Sequence, residues 1–205
     1  MRRQAALAAC LVLSAGFLLA GCSTDDAATA PSPSPTPTPT PAPVVWADGV
    51  CVARDGVTAA VGAFGRNLSY DISSDRSALE QIDRQLRIQV LAVGESLSQL
   101  GTALKAVPVD FQQANDFVAS ATKARDDTAE ALDQVKTHLD AMVNADSIVS
   151  GVAEAGQALV SGKAAFEAGS ALVGVVTDGT KTAGSEVSAA FDAAPACQQA
   201  SPAAS

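Results

Sequence analysis

The chain is short of the residues that carry most protein chemistry: across 205 residues it has one histidine, one tryptophan, one tyrosine and two methionines, and aromatics make up 4%. A lone histidine, His138, leaves no imidazole pair for a metal, and no cysteine or carboxylate accompanies it at ligand spacing. It reads as a surface residue bordering the apolar seam of a helix. No Gly-x-Ser-x-Gly elbow occurs, and a serine triad would have only that one histidine to draw on. Gly156-Gln-Ala-Leu-Val-Ser-Gly162-Lys163-Ala164 has a superficial likeness to a phosphate loop. It carries one residue too many between the glycines, and alanine stands where Ser or Thr must hold magnesium. Asp126 and Asp127 are adjacent, so on a helix they point to different faces and make no acid/base pair. The reading therefore assigns no catalytic residue, metal ligand or cofactor.

Positive charge is scarce too. Lys and Arg number 13 against 22 Asp and Glu, a formal charge of −9, and no basic run is present. That balance argues against nucleic acid and anionic headgroups as direct partners, because polyanions select for Lys/Arg patches. The hydrophobic fraction is 48%, much of it alanine, which favours closely packed helices over a core of bulky side chains.

What the chain does have begins with an address. Arg2 and Arg3 precede an apolar stretch from Ala5 to Ala20, which ends in Leu19-Ala20-Gly21-Cys22 and is followed by polar Ser23-Thr24-Asp25-Asp26. The stretch is too short for a membrane span and ends at small residues, so it reads as a secretory signal over 1–21. The tetrapeptide resembles the bacterial lipobox, which implies cleavage between Gly21 and Cys22 and acylation of the Cys22 thiol. Two or more acyl chains would hold the chain on a membrane essentially permanently. Loss of Arg2 and Arg3 would leave 11 basic and 22 acidic side chains, a charge of −11. The expected location is the extracytoplasmic face of the cell membrane.

Residues 22–45 read as the acylated N-terminus and a tether. Every odd position from Pro31 to Pro43 is proline, which fixes φ and disfavours helix at each preceding residue. The alternation predicts an extended polyproline spacer of about 40 Å. Its Ser/Thr-Pro composition suits O-glycosylation, with an unmodified linker the simpler reading.

Residues 46–198 are expected to form an all-α, antiparallel up-down bundle of about four helices. The first runs from Val45 to Tyr70 on Val50, Val57, Val61, Phe64 and Leu68. The second carries the clearest periodicity, Leu79, Ile82, Leu86, Val90, Val93, Leu97, Leu100, Leu104 and Val107, flanked by Glu80–Arg84 and Asp83–Arg87 at i,i+4. Ser77 to Glu80 resembles a capping box, and Pro108 ends the helix. The third uses Phe111, Val118, Ala121, Thr128, Leu132, Val135, Leu139 and Met142, with a turn and cap at Asn144–Ser147. The last, to about Ala193, contains seven glycines at 151, 156, 162, 169, 174, 179 and 184. Each costs about 1 kcal/mol relative to alanine inside a helix, so close backbone approach is expected at some of them. A straight helix of that length would outreach its neighbours, which places a kink or break between Gly174 and Gly179. Asn67-Leu-Ser69 fits the glycosylation triplet but reads as coincidence beside a bacterial address. Residues 199–205 read as a disordered tail.

Four cysteines have three fates. Cys10 leaves with the signal, Cys22 is the anchor, and Cys51 and Cys197 remain as a pair in an oxidising compartment, expected to form a disulfide. An up-down bundle of four helices brings its two ends to one pole, as that bond requires. Trp46-Ala-Asp-Gly-Val-Cys51 and Phe191-Asp-Ala-Ala-Pro195-Ala-Cys197, enclosing Ala/Leu-rich helices, resemble a group of small actinobacterial envelope lipoproteins. The resemblance implies a helical, disulfide-closed domain and no catalytic residue. The functional expectation is a non-enzymatic module that binds an envelope protein or wall component. The alternative is a carrier or sensor holding a small apolar ligand between helices.

Overall fold

A computed structural model of the chain describes residues 40–66, 68 and 76–199. Gly21 and Cys22, the spacer up to residue 39, the triplet residues Asn67 and Ser69, the turn at 71–75 and residues 200–205 lie outside the described residues. Among the described residues six helices pack together: α1 (Ala42–Arg66), α2 (Arg76–Lys105), α3 (Asn115–Val143), α4 (Ile148–Thr182), α5 (Ser185–Ala193) and α6 (Pro195–Gln198), with a 3-10 turn at Gln112–Ala114. No strand occurs among the described residues. The protein is an all-α helical bundle.

Pairings along the helices fix the topology. Trp46 near the start of α1 reaches Ala103 near the end of α2. Arg87 on α2 meets Asp140 on α3. His138 on α3 meets Glu154 on α4, and Gly179 further along α4 lies against Phe117 at the start of α3. Each consecutive pair is therefore antiparallel, giving the expected up-down-up-down order. One pole, the proximal one, gathers the start of α1, the α2–α3 connection and the end of α4. The distal pole gathers the end of α1, the start of α2 and the α3–α4 connection.

α2 shows most simply why the bundle forms. Leu79, Ile82, Leu86, Val90, Val93, Leu97, Leu100 and Leu104 are all buried, and burying each such side chain stabilises by about 1.5–3 kcal/mol. The helix stops at Lys105, leaving Val107 half-buried just beyond it. Arg76 is already helical, so Ser77 sits in the first turn and is not the cap that the Ser77–Glu80 pattern predicted. On the flank, Asp83–Arg87 forms at 2.7 Å. Hydrogen bonding to Asp140 above all raises the Arg87 pKa. Among the described residues, Glu80 and Arg84 make no ion pair.

Three expectations are corrected at helix ends. The polyproline spacer cannot run to Pro43, because α1 begins at Ala42 and the Pro41 carbonyl accepts from the N–H groups of Val44 and Val45 at 3.0 and 3.2 Å. Proline is tolerated there since N–H groups of a first helical turn have no intrahelical partner. In α3, Phe117 takes the buried position near the start and Val118 is only half-buried. α4, finally, runs without interruption through 174–179 to Thr182. Gly179 is not a hinge: a Cβ there would lie 2.6 Å from the Phe117 ring. The break falls at Ala183–Gly184, where Gly184 has φ +95°, a conformation that only glycine adopts without cost. The surplus chain folds back as α5 and α6. The predicted turn and cap at Asn144–Ser147 are present, the Ser147 hydroxyl accepting from Ser150 N–H at 3.1 Å. Among the described residues only α4 is long and apolar enough to cross a membrane, and its Gly/Ala stripe faces α1 and α3.

Candidate functional site

The two cysteines left over by the sequence meet at the proximal pole. Cys51 and Cys197 are disulfide-bonded, with Cα atoms 5.2 Å apart. The bond depends on the reversal at Gly184. Pro195 starts α6 at the position where a missing N–H costs nothing, and the Ala196 N–H donates to the Asp48 carboxylate at 2.7 Å. An aromatic group closes this pole: Trp46 packs edge-on against Phe111, Phe117 and Phe191 with centroids 5.4–6.0 Å apart. Its indole N–H donates to the Ala103 carbonyl at 3.1 Å. Half of the chain's eight aromatics are thus spent on holding five segments at one end.

The distal pole is built differently. Leu79, Met142, Val143, Ile148 and Gly151 surround a cavity of about 170 Å³ with Arg76 and Glu80 on its lining. Val143, Ile148 and Val149 are exposed beside it. Another exposed apolar pair, Ile88 and Leu91, lies on the outer side of α2. The inward side of α4 between the poles is filled: Cβ atoms at Gly162 and Gly169 would lie 2.8 Å from Leu68 and 2.7 Å from Val61.

Comparison of the chain with family models, curated proteins and solved structures finds no match.

His138 borders the seam as expected, and its Nδ1 lies 2.9 Å from Glu154 Oε2, tying α3 to α4. Among the described residues no group of three or more His, Cys, Asp and Glu is arranged to hold a metal. Asp126 and Asp127 are engaged separately, by Arg125 and Lys123. One residue went unremarked in the sequence. Arg54 is buried to 8% exposure in the core face of α1, and the signal was available, since it stands four after Val50 and three before Val57.

Proposed function

We propose that this chain is a lipoprotein anchored through Cys22 on the extracytoplasmic face of the cell membrane, where it acts as a non-enzymatic module that binds an envelope protein or wall component. The observation that carries the reading is the contrast between the poles. α1 begins at the proximal pole, where the disulfide and the aromatic group lock the ends of the bundle together. The opposite pole presents Val143, Ile148 and Val149 around a small cavity, and exposed apolar side chains grouped about a concavity are what a partner surface uses; Val45, Val52 and Val109 are exposed on the proximal side as well, at the end that the disulfide closes. The alternative of a small apolar ligand between helices has less support. The tip cavity is below the roughly 300–1,000 Å³ of usual ligand pockets, and of the glycines between 151 and 174 it touches Gly151 alone.

Two measurements test the anchor and the tip separately. Intact mass should show cleavage before Cys22 with acyl chains attached, and Cys22→Ser should move the protein from the membrane fraction to the medium. A photo-crosslinker at Val149 should yield one discrete adduct in cells, lost on Ile148→Asp. An unacylated membrane-free chain would refute the anchor, and a tip that crosslinks to nothing reproducible would refute the module.

A further inference from the structure

Arg54 is the one charged residue in the core among the described residues. A guanidinium carries five N–H donors. Two of them are used: Nε and Nη2 both donate to the same oxygen of Asp55, at 3.0 and 2.7 Å. The other three have no acceptor among the described residues. Burying a charged donor without acceptors is costly, and such groups are normally completed by a ligand or ordered water from adjoining space.

That space exists. Arg54 lines a cavity of about 520 Å³ at the proximal pole, walled by the Cys51–Cys197 bond and by residues of α4, α5 and α6. A second cation, Lys181, lines it as well. Two of the three hydroxyls there have already committed their protons: Thr180 donates to the Thr177 carbonyl at 2.7 Å and Ser188 to the Thr180 carbonyl at 2.9 Å. Their oxygens keep free lone pairs and are left as acceptors. Gln198 likewise spends an amide N–H on the Asp192 carbonyl, at 2.7 Å, and keeps its side-chain oxygen. The lining thus combines cationic donors with a set of neutral acceptors and the Asp192 carboxylate. Its complement is a molecule with an oxyanion at one end and hydroxyl donors along its body.

We propose that this cavity binds a small hydroxylated anion of the uronic acid or sugar phosphate class, its oxyanion held by Arg54 and Lys181 and its hydroxyls donating to Thr180, Ser188 and Gln198. The net charge of −9 disfavours a polyanion at long range, but acts weakly on a compact ligand of one or two charges at physiological ionic strength. The site goes beyond the tethered-module reading and does not depend on it.

Titration calorimetry on the full disulfide-closed chain, with D-glucuronate, glucose 6-phosphate, inorganic phosphate and glucose as probes, tests the proposal. Saturable binding of glucuronate or glucose 6-phosphate is expected, tighter than either glucose or inorganic phosphate. Preference between the two identifies the oxyanion as carboxylate or phosphate. Arg54→Leu should weaken that binding at least about tenfold while thermal stability is kept or raised, because leucine removes a buried charge short of acceptors and the Asp55 carboxylate left behind is 42% exposed and stays solvated. Lys181→Ala and Ser188→Ala, at less buried positions, should each weaken binding several-fold with the fold unchanged, whatever Arg54→Leu does to folding. No saturation by any probe up to about 10 mM, glucose binding as tightly as the anions, or unchanged affinity in Lys181→Ala and Ser188→Ala would each overturn the proposal.

Discussion

α2 and α4 belong to the same bundle and bury residues with the same three-and-four spacing, yet they fill the core in opposite ways. α2 sends in Leu79, Ile82, Leu86, Val90, Val93, Leu97, Leu100 and Leu104. α4 buries Gly151, Ala155, Ala158, Gly162, Ala165 and Gly169 before Leu172 and Val176. The volume missing from α4 is supplied by its neighbours, because Val61, Phe64, Leu68 and Phe117 reach to its backbone. Packing density is the same requirement on both sides. One helix projects side chains and the other receives them, so α2 is harmed by deletion and α4 by addition.

The largest expected effect asks whether the two helices also unfold together. The Cys51→Ala/Cys197→Ala double variant should lose up to about 5 kcal/mol in the chain-entropy description, with native strain reducing that. Hydrogen exchange should then quicken most in α5, α6 and the last turns of α4, and least in the middle of α2. Equal quickening throughout would make the bundle one cooperative unit and weaken the contrast. Next, Leu86→Ala should cost about 2–5 kcal/mol, read from urea unfolding followed by the single tryptophan, Trp46. Gly169→Ala should cost about 1–3 kcal/mol although it adds only a methyl, since that methyl would meet Val61 at 2.7 Å. A neutral Gly169→Ala would end the idea of a receiving surface. The smallest effect has the opposite sign. Nothing lies within 4 Å of a Cβ at Gly156, so Gly156→Ala should stabilise by about 0.5–1 kcal/mol through helix propensity alone.

The same contrast explains what could be read from the sequence. The α2 seam was legible in full up to Leu104, because bulky apolar residues stand out against charged flanks. In α4 the buried Gly and Ala look like the exposed ones, and exposed Val149 and Val160 blur the contrast further. Only the contacts sort Gly162, Gly169 and Gly179, which receive side chains, from Gly156 and Gly174, which meet nothing within 4 Å. The break was misplaced for the same reason, since composition does not reveal which of seven glycines takes a positive φ. Of the candidate sites, the Cys51–Cys197 pair followed from counting cysteines and helices. Arg54 did not, because an arginine is assigned to solvent by habit even where the period puts it inside.

The sulfur–sulfur bond joins positions 146 apart in sequence. Tension applied between the two ends of the chain would run along residues before 51, across that bond, and out after 197. The helices α2 to α5 hang from this covalent shortcut as an unloaded loop. A pull on the ends would stretch little beyond the first turns of α1 and the short α6, and the bundle would keep its shape until the bond itself was reduced.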